Sequence, residues 1–103
     1  MLVTYSRNHV PIRLTQERWQ HIITRHPEMK DQQEKILQTI ENPEMILKGD
    51  VKELLAVRFY VSTPLSNKYL VVAYKEENID NGFVLTAYFT SQLSTRRAVI
   101  WKP

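Results

Sequence analysis

The hydrophobic period of the chain changes near residue 44. Before that point apolar residues recur at helical spacing, and after it they alternate. Thr15 reads as an N-cap with Glu17 in the first turn, where negative charge suits the helix dipole. Trp19, Ile22, Ile23 and His26 then fall on one side of a helix over Thr15–Arg25. Pro27 disfavours helical geometry at His26 and stops this helix there. It also suits the first turn of a second helix, whose inward stripe is Met29, Gln33, Ile36, Leu37 and Ile40 and whose stop is Asn42-Pro43. Residues 1–14 alternate loosely around Pro11, as in a short edge strand or an extended arm.

The second half predicts strands at Met45–Lys48, Leu54–Ser62, Tyr69–Lys75 and Phe83–Ser91, with a short one at Ala98–Trp101. Turns are expected at Gly49-Asp50, around Pro64, Ser66 and Asn67, and over Glu76–Gly82. This order predicts one α+β domain over residues 1–103. Two N-terminal helices would pack on one face of a four- to five-stranded antiparallel sheet. Parity sends Leu55, Val57, Phe59 and Val61 toward the helices with Phe83, Leu85, Ala87 and Phe89, joined by Leu70, Val72 and Tyr74. Leu54, Ala56, Arg58 and Tyr60 then share the open face with Tyr69, Val71, Ala73 and Lys75, and with Thr86, Tyr88 and Thr90.

Composition narrows the class. An apolar fraction of 43% with 24% charged residues is that of a globular protein. No apolar run approaches the about 18 residues that a bilayer span needs. The N-terminus lacks a signal-peptide pattern, so a cytoplasmic location without membrane contact is expected. With no cysteine, disulfide and thiolate chemistry are excluded. The net charge of +3 is unevenly spread: residues 1–51 balance, whereas no acid follows Asp80 and Arg96, Arg97 and Lys102 do. Such a basic end suits either a phosphate backbone or a plain solvated surface.

Chemistry concentrates on the expected open face. Arg58 interrupts the apolar run LLAVRFYV, and a mid-strand guanidinium must reach water or an anion, for which its planar donor fork is suited. Thr86, Tyr88 and Thr90 form a hydroxyl row on one strand, although these residues favour strands in any case. Tyr60 and Tyr69 are of the type that stacks on bases, and Lys75, Arg96 and Arg97 are further substrate-binding candidates. Of the histidines, His9 lies in the arm and His21 points away from the apolar stripe, leaving His26 at the helix end. No ligand-spaced His/Asp cluster, glycine-rich phosphate loop or serine-nucleophile motif occurs, so no metal or cofactor is expected.

The segments LTQERWQHIITRHPEM, ENPEMI, LAVRFYV, KYLVVAYK and FVLTAYFTS, in this order, resemble the phage-associated branch of the Barnase–EndoU–Colicin–RelE-like (BECR) nucleases. The resemblance runs from about Arg13 to Trp101, and is more distant to RelE- and BrnT-type toxins. It implies a metal-independent endoribonuclease in which the substrate's own 2′-hydroxyl attacks the adjacent phosphate, leaving a cyclic phosphate. On this resemblance His26 is the general base or acid, Arg58 steadies charge on the phosphate, and Tyr88 and Thr90 hold or protonate its oxygens. RNA is then the substrate, and a cognate antitoxin or immunity protein is a partner of the kind implied. A non-catalytic module of the same fold, binding nucleic acid or protein through the sheet face, is the other reading, and a purely structural phage-derived domain is a third.

Overall fold

In the computed structural model, residues 1–63 and 66–103 are described, and side chains are described outside 62–67. The fold is α+β, with two helices and a seven-stranded mixed sheet among these residues. The strands are β1 (Leu2–Tyr5), β2 (Pro11–Leu14), β3 (Met45–Lys48), β4 (Leu54–Thr63), β5 (Ser66–Asn78), β6 (Asn81–Thr90) and β7 (Val99–Trp101). Helices α1 (Gln16–Arg25) and α2 (Gln33–Glu41) lie between β2 and β3. Across the sheet the order is β1-β2-β6-β5-β4-β3-β7.

Two additions enlarge the expected four or five strands, and the helices are preceded by structure. Residues 1–14 form an antiparallel hairpin, β1 with β2, in which Tyr5 partners Pro11. Pro11 opens its strand, where a missing N–H costs least. The hairpin attaches to β6 in parallel through Ile12–Gly82 and Arg13–Phe83, so the sheet is mixed rather than antiparallel. Gly82 allows this approach: a Cβ there would stand 2.5 Å from Ile12 Cδ1 and 2.7 Å from the Lys75 carbonyl oxygen. The second helix also begins later than Pro27 predicts. Residues Pro27–Met29 make one 3₁₀ turn, and Asp31 adopts φ 70, a left-handed conformation that helical propagation does not tolerate. Met29 nonetheless stays fully buried, as its place in the stripe requires.

The helices cover one sheet face, where Ile22, Met29, Ile36 and Ile40 meet Ala56, Leu70, Val72, Tyr74, Val84, Ala87 and Phe89. Two parity expectations fail here. In β4 it is Leu54, Ala56, Arg58 and Tyr60 that face the helices, because Ala56 partners Val72, which partners Ala87. Leu55 and Val57 lie on the opposite face. Successive residues Leu55, Ala56 and Val57 are all buried, so both faces of β4 are covered there and the apolar run carries no parity information. In β6 the register shifts between Ala73–Thr86 and Tyr74–Val84, a bulge that places Leu85 with the second face and Val84 with the helices. Phe83, paired with Lys75, leaves the helix side with it. The expectation that Leu70, Val72, Tyr74, Ala87 and Phe89 face the helices agrees with this packing.

The second face is not open throughout. After β6 the chain crosses residues 91–98 over the sheet to reach β7 beside β3, and Leu93 packs on Leu47, Leu55, Val57, Val71 and Ala73. The sheet also curls about α2, which packs against β1, β4 and β5. The curl brings the Arg7 guanidinium to 4.3 Å from the centre of the Trp101 ring, joining opposite edges of the sheet. Of the expected loop near Pro64, Pro64 lies outside the described residues, while Ser66 and Asn67 belong to β5.

Candidate functional site

Helix α1 sets the geometry of the site. Thr15 Oγ1 accepts the Arg18 N–H at 3.1 Å, satisfying one of the free donors at the N-terminus. At the other end His26 donates its N–H to the Ile22 carbonyl at 2.7 Å and then leaves helical geometry, with φ −132 and ψ 77, as a residue before proline must. This turn lays the His26 imidazole against β6. Its ring centre is 5.8 Å from that of Tyr88, with the planes tilted by 33°. Glu28, one residue beyond Pro27, brings Oε2 to 3.8 Å from His26 Nδ1. At this separation, longer than a hydrogen bond, the carboxylate is an ion-pair neighbour of the protonated imidazole.

Around this pair is a cleft of about 400 Å³ lined by His21, Arg25, His26, Thr86 and Tyr88. His21 and Arg25 stand four residues apart on α1 and therefore share a face of the helix. Arg25 closes the last turn of α1, where a cation also complements the helix dipole. Thus an imidazole, a guanidinium, a phenol and an aliphatic hydroxyl meet at one solvent-facing point.

Tyr88 is also a wall of a second, larger depression of about 720 Å³ on the face crossed by residues 91–98. Leu47, Leu55, Val71 and Leu93 give it an apolar lining, and Thr90, Gln92 and Ser94 add polar groups. Lys48, Arg96 and Arg97 bring positive charge. Arg97 is committed, donating to the Lys48 carbonyl at 3.1 Å and pairing with Asp50 at 3.0 Å, which ties the crossing segment to the β3–β4 turn. The Arg96 guanidinium and the Lys48 ammonium have no such partner among the described residues.

The residues singled out from the sequence separate accordingly. His26, Tyr88 and Thr86 are brought together. Thr90 lines the larger groove, but its hydroxyl donates to the Gln92 carbonyl at 2.9 Å and accepts the Gln92 N–H at 3.3 Å, so it shapes the start of the crossing segment. Arg58 does not join them. It faces the helices, donates to the Asn42 carbonyl at 2.7 Å at the end of α2, and lies 5.8 Å from the Tyr60 ring centre. The expected shared face of Arg58 and Tyr88 is therefore corrected by the strand register. Tyr60 is on the helix side as well, its hydroxyl donating to Gln38 Oε1 at 2.7 Å and lying 3.3 Å from Thr39 Oγ1. Burial pushes the Tyr60 phenol above its usual range, and the Thr39 hydrogen bond and Arg58 charge offset part of this.

Tyr69 occupies the second face and meets Phe59 edge-to-face at 5.0 Å, so its ring already has a partner. Lys75 pairs with Glu77 at 3.6 Å at the far end of β5. Arg96 and Arg97 both line the groove. Sequence reasoning passed over Arg25, Glu28 and the shared face of His21 with Arg25. The four-residue spacing and the carboxylate two residues after His26 were the available signals. Among the described residues no group of three or more His, Asp or Glu side chains is disposed to hold a metal ion. No helix is long and apolar enough to cross a membrane among the described residues.

Comparison with family models, curated proteins and solved structures gives no match to this chain.

Proposed function

We propose that this protein is a metal-independent endoribonuclease of the BECR and RelE-like type, cleaving RNA by attack of the 2′-hydroxyl on the adjacent phosphate. The observation that carries this reading is the cleft in which His26, Arg25, Thr86 and Tyr88 converge, with Glu28 behind the imidazole. The motif order from Arg13 to Trp101 supports it independently. In the reaction the 2′-oxygen bonds to phosphorus, the bond to the 5′-oxygen breaks, and the 2′-proton passes to a base while the leaving oxygen takes one up. An imidazole performs either proton transfer near neutrality. His26 is that group, and the nearby Glu28 carboxylate pairs with its charged form. Arg25, in place of Arg58, presents the guanidinium that neutralises charge on the phosphate. Tyr88 and Thr86 offer hydroxyls to its oxygens. His26 carries out one proton transfer and solvent water the other, while Arg25 stabilises the phosphate charge, so the scheme invokes no resident metal.

A nuclease of this kind acts where cellular RNA is, in the cytoplasm, and its producer requires protection. A toxin- or effector-like role with a cognate antitoxin or immunity protein follows from the same reading. The test is incubation of purified protein with total RNA in excess EDTA, beside His26→Ala and Arg25→Ala. Cleavage leaving cyclic-phosphate ends, reduced about 100- to 10,000-fold in His26→Ala, is expected from loss of a general acid or base. Cleavage undiminished in both variants would refute the assignment. RNA retention without any cleavage would favour the non-catalytic module, which the larger groove with Lys48 and Arg96 equally suits.

A further inference from the structure

The larger groove has a composition that the cleavage chemistry does not use. Its lining joins apolar groups of Leu55, Val71 and Leu93 to a phenol, Tyr88, and to two cations that have no partner among the described residues, Lys48 and Arg96. Apolar floor for a ring, and uncommitted positive charge for an anion, are the complementary parts of a nucleotide. The volume of about 720 Å³ lies within the range of about 300–1,000 Å³ typical of small-ligand pockets, ample for one nucleotide. A buried leucine floor does not serve phosphate binding, and free cations do not serve a purely apolar ligand. The combination therefore selects against a bare anion and against a hydrophobic peptide.

Position adds a second argument. Tyr88 belongs to both linings, so the groove adjoins the cleft of His26 and Arg25, and a nucleotide next to a phosphate held there would be within its reach. A duplex keeps its bases stacked and paired, whereas an unpaired strand can turn a base into a pocket. We infer that the groove between Tyr88 and the crossing segment 91–98 is a nucleotide-binding subsite, holding one unpaired base of single-stranded RNA next to the phosphate that is cleaved. The adjacency to a cleaved phosphate rests on the proposed nuclease reading; the binding of an unpaired nucleotide does not. Arg97 keeps the roof in place through Asp50 and the Lys48 carbonyl, and Arg96 is the side chain left to meet the backbone of the bound strand.

The experiment uses a fluorescent, short single-stranded RNA carrying 2′-O-methyl groups, which removes the attacking hydroxyl and separates binding from cleavage. The same oligonucleotide is compared as a duplex and as an abasic strand. Arg96→Ala, at an exposed position, and Leu93→Ala are the variants, with far-ultraviolet circular dichroism to establish that each is folded. The wild type should bind the single strand at least about tenfold more tightly than the duplex or the abasic strand, as expected of base stacking. Arg96→Ala should weaken binding and lower the salt slope by about one phosphate contact. Leu93→Ala should weaken binding of the intact strand but leave that of the abasic strand unchanged. Equal affinity for intact and abasic strands, or folded variants that bind as the wild type does, would overturn the subsite. If binding behaves as stated while unmodified RNA is never cleaved, the subsite stands and the nuclease reading falls. If His26→Ala abolishes cleavage while the groove variants change neither binding nor cleavage, the reverse holds.

Discussion

Replacing Arg58 by alanine separates a structural role from a catalytic one. The guanidinium donates to the Asn42 carbonyl at 2.7 Å, at the C-terminal end of α2, where a cation also meets the negative end of the helix dipole. It lies in addition 5.8 Å from the centre of the Tyr60 ring. A hydrogen bond to a charged group contributes about 1.5–3 kcal/mol when well shielded, and a cation–aromatic contact at an exposed site about 0.5–1 kcal/mol. The Arg58 side chain is only half-buried, and water replaces part of what is lost at the carbonyl, so the net loss should be about 1–2 kcal/mol. For a chain of this size that lowers the melting temperature by about 4–16 °C. Urea unfolding followed by the fluorescence of Trp19 and Trp101 measures the first quantity. Cleavage per folded molecule, assayed well below the transition, measures the second and should stay within about threefold of wild type. An unchanged unfolding midpoint together with a hundredfold loss of cleavage would show that Arg58 contacts phosphate, and would refute the placement argued from the register.

Gly82→Ala should destabilise the protein by about 1–3 kcal/mol, because the added methyl meets the Lys75 backbone oxygen as well as a movable Ile12 methyl; a stability equal to wild type in urea would mean that β2 does not approach β6 this closely. Stability should also fall in alkali. Burial, with the Glu76 charge adding to it, pushes the Tyr74 phenol well above its ordinary range, and Tyr60 is raised in the same direction. The neutral phenol is the form the fold favours, whereas the unfolded chain releases this proton near pH 10. The contribution of Tyr74 is therefore complete below about pH 10 and is lost as pH rises above it, by up to about 1.4 kcal/mol per pH unit until the folded phenol itself ionises, with Tyr60 acting in the same direction. Urea midpoints across this range, compared with Tyr74→Phe, check the sign and the source; an equally steep decline in the variant would refute it. Arg97→Ala should loosen residues 91–98, which limited proteolysis or amide exchange detects as loss of protection there with β5 and β6 unaffected.

The α+β class and most strands were legible because the hydrophobic period changes once, near residue 44, and the stops at Pro27 and Asn42-Pro43 are strong. What sequence reasoning lost has specific causes. LLAVRFYV is apolar on both faces, so its alternation does not say which side meets the helices, and Arg58 was assigned by that ambiguous parity. One bulge at Leu85 reverses the faces of Phe83 and Leu85 while leaving Ala87 and Phe89 where alternation puts them. The hairpin of residues 1–14 pairs with a strand some seventy residues later, a contact that no local pattern encodes. The crossing segment 91–98 is not periodic at all, yet it makes a wall of the groove.

The location of the candidate site follows from one short pairing. Strand β2 runs parallel to β6 only at Ile12–Gly82 and Arg13–Phe83 before Thr15 starts a helix. Among the described residues the flank of β6 from Val84 to Thr90 thereby has no strand partner on that side, and α1 and the 3₁₀ turn pack beside it instead. A helix end placed at a sheet edge can present a side chain to the face that the helices do not cover. This is how His26 meets Tyr88 although α1 belongs to the other layer. Had β2 continued along β6, its backbone would occupy the space of the cleft and His26 would be confined to the helix side. The His-Pro at the end of α1 and the Ala-Tyr-Phe-Thr end of β6 were each visible in the sequence. Their meeting depends on where a four-residue strand stops.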